Sequence, residues 1–342
     1  MRLAIVIPAH DEAAVIEQKI HNTHGLELPA VGEGQPFAHL AVVVDDHSSD
    51  DTMARALAAV QSLPARSDLE WRVVASQHRP GKGGALATGF AEAAGFEILV
   101  LTDADSWVSS RAALETVRAF ADPTVGGVSG SQRYVEAIEC GIPRGDRADL
   151  YDSLSEAVRR FESRRGMLFS VHGPWLALRA SAGAEPKLGI AADDLDLALQ
   201  VRTAGYRVVL AERAVYCEVK AAGAPLFEQR IRRARAYFEV VDLYLPRMFA
   251  IAPRPWGAIQ LAGYWIAPVA AAVLFMAGIM APMVLAMRSE SGPGVQWATM
   301  LAVSGLLLLD PFHTCAAYAA VILSARLAPM RRSGADRWRR RF

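Results

Sequence analysis

Up to about residue 220, short apolar runs alternate with longer segments in which apolar residues recur at helical spacing. The apolar runs lie at residues 3–8, 40–44, 71–75 and 98–101. The helical patterns between them lie at residues 11–21, 51–63 and 84–94. Because the short runs are apolar at nearly every position, they are typical of strands buried on both faces of a mostly parallel sheet. The pattern therefore predicts a doubly wound α/β domain over residues 1–225.

The pattern changes in the last third of the chain. Residues 256–287 contain no charged residue, and residues 295–325 contain one acid, Asp310. Each stretch exceeds the roughly 20 apolar residues that cross about 30 Å of hydrocarbon. We expect a transmembrane segment over residues 255–327, with two spans as the first choice and four as the alternative. Two buried helices of a soluble core are a weaker alternative, because core helices rarely run so long without a polar face.

Arginines flank this apolar region on both sides. Residues 226–254 mix arginine with aromatic and aliphatic residues, which predicts either an amphipathic helix at a membrane surface or an ordinary surface helix. Residues 328–342 form a basic tail, which the positive-inside rule places in the cytoplasm. With an even number of spans, the N-terminal domain is also cytoplasmic, and the protein belongs to the cytoplasmic membrane.

The composition of the chain limits the classes of partner and the cellular compartment that we expect for it. The chain has 36 basic and 36 acidic residues, so no net charge favours nucleic acid. Its three cysteines show neither metal-ligand spacing nor a disulfide framework, which fits a reducing compartment. The first apolar run is too short for the core of a secretion signal.

Acidic residues follow two of the predicted strands directly. Asp45 and Asp46 come after the run at 40–44, and Asp103 and Asp105 come after the run at 98–101. In open α/β sheets, ligands bind beyond the carboxyl ends of the strands. A carboxylate there can accept a hydrogen bond from a nucleoside, and two acids spaced by one residue can share Mg²⁺ or Mn²⁺ with phosphate oxygens. Such a cation would neutralise a departing diphosphate.

Two further segments carry charge at predicted helix starts. Residues 79–85 hold Lys82 among glycines, which suits a phosphate or an acidic partner, although a flexible turn is the alternative. They lack the spacing of a P-loop. Residues 192–196 contain three acids where helix capping needs fewer, so one of them could serve as a general base.

These clusters, in this order and spacing, resemble the family-2 glycosyltransferases, which have the GT-A fold. Residues 6–12 match the first strand and loop of that family, and residues 45–48 match its nucleotide site. Residues 81–85 match its Gly-Lys segment, residues 103–105 its metal motif, and residues 192–196 the acidic segment that contains the base. Residues 229–233 resemble an element of the processive synthases for cellulose, chitin oligomers and hyaluronan. Arg233 stands where those synthases have the tryptophan of their acceptor site.

The resemblance implies an inverting hexosyltransferase that uses a nucleotide-sugar donor and a lipid-linked or saccharide acceptor. It assigns Asp194 as the general base, and Asp105 with Asp103 as ligands of Mg²⁺ or Mn²⁺. It implies a donor site made of Pro8, Ala9, Glu12, Asp45, Asp46, Lys82, Asp103, Arg232 and Arg233. It places Trp175 and Asp193 on the acceptor side, and for Trp175 a core aromatic is the alternative.

Three other functions compete with this prediction. The first is transfer to polyprenyl phosphate, and the second is a non-catalytic membrane partner that keeps the fold. The third is a nucleotidyltransferase, which usually carries an N-terminal glycine-rich loop with Arg and Lys. Residues 8–12 have no such loop, and the metal and base positions keep their acids, so a glycosyltransferase is favoured.

Overall fold

A computed structural model describes most of the N-terminal two thirds of the chain and short parts of the remainder. The described residues are 1–30, 39–139, 142–148, 150–219, 224–247, 256–266, 270 and 277–278. The chain divides into two compact units that separate after residue 220.

The first unit contains an eight-stranded sheet, a two-stranded sheet and six α-helices among its described residues. The strands are β1 (Leu3–Ala9), β2 (His39–Asp45), β3 (Leu69–Ala75), β4 (Ile98–Leu101), β5 (Trp107–Val108), β6 (Val125–Val135), β7 (Ala137–Glu139), β8 (Ile142–Arg144), β9 (Leu176–Arg179) and β10 (Arg207–Val219). The helices are α1 (Ile16–His24), α2 (Thr52–Ser62), α3 (Lys82–Glu92), α4 (Ala112–Ala119), α5 (Leu150–Ser163) and α6 (Asp193–Thr203). The predicted α/β class is confirmed.

The strand order of the large sheet is β3-β2-β1-β4-β9-β6-β10-β5. β3, β2, β1 and β4 pair in parallel, as predicted, and β10 pairs in parallel with β6. β9 runs antiparallel between β4 and β6, and β5 is an antiparallel edge strand. Because Leu101 pairs with Leu176, the residues that follow β4 lie beside those that precede β9.

Alternate residues of β1 enter two cores, one on each side of the sheet. Ile5 and Ile7 pack in one core with Ile16 of α1, whereas Val6 packs in the other with Leu86 of α3. Burial on both faces explains why the strand is apolar throughout. The second core is tight, because a Cβ added at Gly89 would lie 2.2 Å from the Cγ1 of Val6.

The second unit contains α7 (Ala224–Tyr244) and α8 (Trp256–Leu261), and one π-helical turn follows at Ala262–Ile266. The hydroxyl of Tyr237 donates to the carbonyl of Tyr264 at 3.1 Å. α7 covers much of the predicted amphipathic segment. In the parts of the chain that are described, no helix is both long enough and apolar enough to cross a bilayer. Most of the predicted transmembrane segment and the whole basic tail lie outside the described residues.

Candidate active site

Two buried carboxylates stand at the carboxyl end of β2. Asp46 accepts a hydrogen bond from the backbone N–H of Gly81 at 2.8 Å, and Asp45 accepts one from Ser48 at 3.3 Å. The Oδ1 atoms of both acids are buried and have no partner among the described residues. Burial raises the pKa of Asp46, although the Gly81 N–H opposes the shift. Buried polar atoms are normally hydrogen-bonded, so these oxygens fit acceptors for the N–H or O–H groups of a ligand.

The backbone geometry around Asp46 links β2 to the start of α3. Gly81, which precedes α3, has a φ of 140°, a conformation open mainly to glycine. His47 has a φ of 58° and bonds through its ring to the carbonyl of His78 at 2.7 Å. A left-handed conformation is uncommon for a residue other than glycine, although histidine adopts it more often than most residues do.

Lys82 forms an ion pair with the first acid of the predicted metal motif. Its Nζ lies 2.6 Å from the Oδ1 of Asp103. Burial disfavours the ammonium form, but Asp103, Asp193 and Asp194 outweigh this effect and raise the pKa of Lys82. Lys82 is therefore a fixed positive charge between the start of α6 and the loop that follows β4, residues 102–106, which we call the β4 loop.

Asp193 and Asp194 occupy the first two positions of α6. The buried Oδ1 of Asp193 has no partner in the described part of the protein. Asp194 accepts hydrogen bonds from the backbone N–H groups of Leu195, at 2.8 Å, and Gly173. Burial raises the pKa of Asp193 to about 7, while Lys82 opposes the shift. Burial also raises the pKa of Asp194.

The backbone at Gly173 packs directly against this charged cluster. A Cβ there would lie 3.2 Å from the Nζ of Lys82 and 3.5 Å from the Oδ2 of Asp103. Gly173 precedes β9, and the strand register places it beside the β4 loop. The structure thus brings Lys82, Asp103 and Asp194 together around one glycine, and Asp193 is near enough to raise the pKa of Lys82.

The residues of the β4 loop fit one mode of divalent-cation binding. Asp105 is exposed, and Asp103 is half-buried. Within the described part of the chain, no three His, Cys, Asp or Glu side chains come together as a complete metal site. Mg²⁺ is commonly held by one or two carboxylates together with substrate phosphates and water. The two acids fit that mode, in which the substrate supplies the missing ligands.

Lys19 of α1 braces the same loop, and the sequence interpretation missed it. Its buried Nζ donates to the Oγ1 of Thr102 at 2.6 Å, to the carbonyl of Ser106 at 3.0 Å and to the Oγ of Ser106 at 3.1 Å. Thr102 donates in turn to the carbonyl of Pro174 at 2.8 Å. The spacing of Lys19 with Ile16 and Ile20 puts it on the apolar face of α1, a signal that could have revealed its burial.

Trp175 corrects the sequence interpretation. Its side chain is 0% exposed and packs in the core, and its Nε1 donates to the Oγ1 of Thr116 at 2.9 Å. The ring therefore has no open face for a sugar, and its placement on the acceptor side is wrong. A buried tryptophan needs a partner for its N–H, which Thr116 provides.

The other predicted donor residues fall into two groups. Pro8 and Ala9 are buried at the end of β1, and the carbonyl of Ala9 accepts from the N–H of Asp46 at 2.7 Å. They support the β2 acids through the backbone, and Glu12 follows in a half-buried turn. Arg232 and Arg233 lie in α7 of the second unit, and the side chain of Arg232 is outside the described residues. Their donor role stays a prediction.

Family models identify the class of the protein. The model described as glycosyl transferase family 2 matches residues 4–182, and that described as glycosyl transferase family group 2 matches residues 98–323. The chain therefore belongs to glycosyl transferase family 2. No curated protein matches it.

The solved structure of a mannosyltransferase has a similar fold. The chain is 24% identical to the mannosyltransferase PcManGT from Pyrobaculum calidifontis, in complex with GDP-Man and Mn²⁺. The match covers 95% of this chain and 86% of that one, with a TM-score of 0.69. A structure of TarS from S. aureus with UDP matches at 15% identity over 97% of this chain and 93% of that one, with a TM-score of 0.45.

Proposed function

We propose that the protein is an inverting, metal-dependent glycosyltransferase that transfers a sugar from a nucleoside-diphosphate donor to a hydroxyl of a lipid-linked or oligosaccharide acceptor. The observation that carries this proposal is the cluster in which Lys82, Asp103 and Asp194 meet around Gly173, with Asp193 next to Asp194 at the start of α6. A cationic side chain can neutralise the charge of a leaving diphosphate, and a carboxylate in the same cluster can accept the proton that the attacking hydroxyl loses.

On the donor side, the unpartnered oxygens of Asp45 and Asp46 would accept hydrogen bonds from the base or the ribose. Lys82 would place its charge near the diphosphate. Asp105 and Asp103 would hold Mg²⁺ or Mn²⁺, which would supply charge neutralisation to the leaving group. GDP-mannose is a reasonable first donor, because the structure of PcManGT is a complex with GDP-Man.

In the transfer, the acceptor oxygen forms a bond to the anomeric carbon as the bond between that carbon and the diphosphate oxygen breaks. The nucleoside diphosphate leaves with the bonding electrons, and Asp194 takes the proton of the acceptor hydroxyl. A raised pKa suits a general base, which works best when its pKa lies near the operating pH. Asp193 would stand beside the acceptor.

The raised pKa of Asp194 also bears on the class of acceptor. A hydroxyl must lose a proton as it attacks, whereas a polyprenyl phosphate is already anionic and has less need of a base. This favours a hydroxyl acceptor. We place the reaction at the cytoplasmic face of the membrane because residues 256–287 contain no charge and arginines flank the apolar region. The likeness of residues 229–233 to the processive synthases belongs to the same proposal.

A donor screen tests this function without knowledge of the acceptor. The full chain in detergent is incubated with nucleotide-sugars and Mn²⁺, and release of nucleoside diphosphate is measured for wild type, Asp105→Ala and Asp194→Asn. Water can act as a poor acceptor, so we expect slow hydrolysis of one donor that both substitutions suppress. Absence of both hydrolysis and nucleotide binding would instead favour a non-catalytic partner.

A further inference from the structure

The helix α5 has its polar and apolar faces reversed relative to an ordinary surface helix. Arg159 and Glu162 are buried against the domain, whereas Leu154, Val158 and Phe161 are 58%, 48% and 48% exposed. A surface helix normally turns its apolar stripe to the core. Here the apolar stripe faces outward.

Hydrogen bonds fix this orientation. Arg159 donates to the carbonyl of Ser170 at 2.9 Å, to the carbonyl of Gly130 at 2.8 Å and to the Oγ of Ser129 at 2.9 Å. Glu162 accepts from the backbone N–H of Phe169 at 3.1 Å. A buried charge that loses its partners strongly destabilises the folded state. The helix therefore cannot roll its apolar stripe inward without breaking these bonds.

The exposed apolar side chains form one continuous stripe. Leu154, Val158 and Phe161 are spaced four and three residues apart, so they lie on the same face, and Ala157 is exposed beside them. Contiguous exposed apolar surface of this kind usually marks an interaction site.

Positive charge borders the stripe at its C-terminal end. Arg160, Arg164 and Arg165 are all exposed. The guanidinium of Arg165 lies 3.7 Å from the centre of the Phe161 ring, and Arg160 pairs with Glu212 at 3.4 Å. The acids Glu156 and Glu162 bond inward, to Arg159 and to the Phe169 backbone. An apolar stripe edged by arginines is the arrangement of helices that lie in the interface of an anionic bilayer.

We propose that the outer face of α5 docks on an anionic lipid surface. Leu154, Val158 and Phe161 enter the boundary between headgroups and acyl chains, and Arg164 and Arg165 contact lipid phosphates. The choice of a membrane rests on charge complementarity and on the membrane location in the proposed function. Docking through α5 gives the first unit its own lipid contact, which does not depend on the apolar C-terminal region.

Site-directed spin labelling tests the proposal on the full chain. With the native cysteines replaced by alanine, single labels are placed at Val158→Cys, Phe161→Cys and the control Leu57→Cys, a 42% exposed position on α2. The protein is reconstituted into vesicles of phosphatidylcholine with or without phosphatidylglycerol. We expect anionic vesicles to lower collisions with an aqueous nickel chelate and raise collisions with oxygen at the α5 sites, by about threefold or more, and not at residue 57. Arg164→Gln with Arg165→Gln should weaken the dependence on phosphatidylglycerol.

Two results would overturn docking. One is an α5 label that stays as accessible to nickel as the label at residue 57. The other is dipolar broadening between α5 labels in vesicles and in detergent alike, which would show contact between two copies of the chain. Donor hydrolysis by the same variants separates the proposals. Hydrolysis without lipid burial contradicts docking alone, whereas lipid burial without hydrolysis or nucleotide binding in the unlabelled wild type contradicts the proposed function alone.

Discussion

The ammonium nitrogen of Lys82 lies 2.6 Å from the Oδ1 of Asp103 and so joins the first turn of α3 to the loop after β4. The same positive charge lowers the pKa of Asp193 and Asp194 against the effect of their burial. One lysine thus acts on the proposed metal ligand and on the proposed base.

Lys82→Met should weaken nucleotide binding and raise the pKa of Asp194, the proposed general base. Loss of a hydrogen bond to a charged group costs roughly 1.5–3 kcal/mol, so we expect the Kd for nucleoside diphosphate with Mn²⁺ to rise about 10- to 100-fold. The pH profile of donor hydrolysis should also shift to higher pH, since the cation no longer lowers the pKa of Asp194. Calorimetric titration and a pH–rate profile measure the two effects. Lys187→Met is the matched control, because Lys187 pairs instead with Asp196 at 2.9 Å.

Asp105→Ala should reduce the apparent affinity for Mn²⁺ in donor hydrolysis by about 10- to 100-fold, since only one proposed carboxylate ligand remains. Removal of the metal with a chelator should weaken binding of nucleoside diphosphate to wild type by a similar factor. Asp146→Ala removes an exposed acid from a turn outside the site and serves as the control. Equal Mn²⁺ dependence in all three proteins would exclude Asp105 as a ligand.

Asp194→Asn should lower kcat for glycosyl transfer by about 10²- to 10⁴-fold and leave the KM for donor little changed, since a general base acts in the transition state. The wild-type rate should rise with pH as Asp194 loses its proton, and the variant should lack this rise. Asp193→Asn should have a smaller effect on kcat. If Asp193→Asn alone removed the pH dependence, Asp193 would be the base.

Asp193 should make the protein less stable as the pH rises. Folding raises its pKa from 3.8 to about 7, so between these values the folded state binds a proton that the unfolded state does not. Its contribution to the free energy of unfolding therefore falls as the pH rises through this window. Asp193→Asn should raise Tm more at about pH 8 than at about pH 5.

Asp122→Asn is a control for which we expect the pH dependence of stability to have the opposite sign. Hydrogen bonds from Thr124 lower the pKa of Asp122 in the folded state. Replacement of Asp122 should therefore lower stability most at pH values above the pKa that this residue has in the unfolded chain. A pH-independent difference in Tm between wild type and Asp193→Asn would contradict the assigned burial of Asp193.

Lys19→Met should loosen the β4 loop and lower stability by about 1–3 kcal/mol, because it leaves the hydroxyls of Thr102 and Ser106 without their donor. Folding lowers the pKa of Lys19 from 10.5 to about 7 through burial, so stability should rise between these pH values in wild type and less in the variant. Denaturant unfolding measures both effects. Lys19 is a positioning residue if Mn²⁺ affinity also falls under conditions in which the variant is fully folded.

The hydrophobic pattern predicted the four parallel strands because strands buried on both faces leave a continuous apolar run. It did not reveal β9, whose partners depend on contacts between distant parts of the chain. The acids at strand ends were found for the same reason, since the end of an apolar run is visible locally. Trp175 was misplaced because an aromatic next to a site looks the same in sequence whether its ring faces ligand or core.

β9 pairs antiparallel with β6, so the two strands that flank α5 in the sequence are neighbours in the sheet. The closure cost of such a connection grows only slowly with its length. A descendant of this chain could lengthen, trim or exchange the connection that carries α5 while keeping the strand register around Asp103. The proposed membrane docking through α5 and the proposed glycosyl transfer could then change separately in evolution, although both belong to one domain.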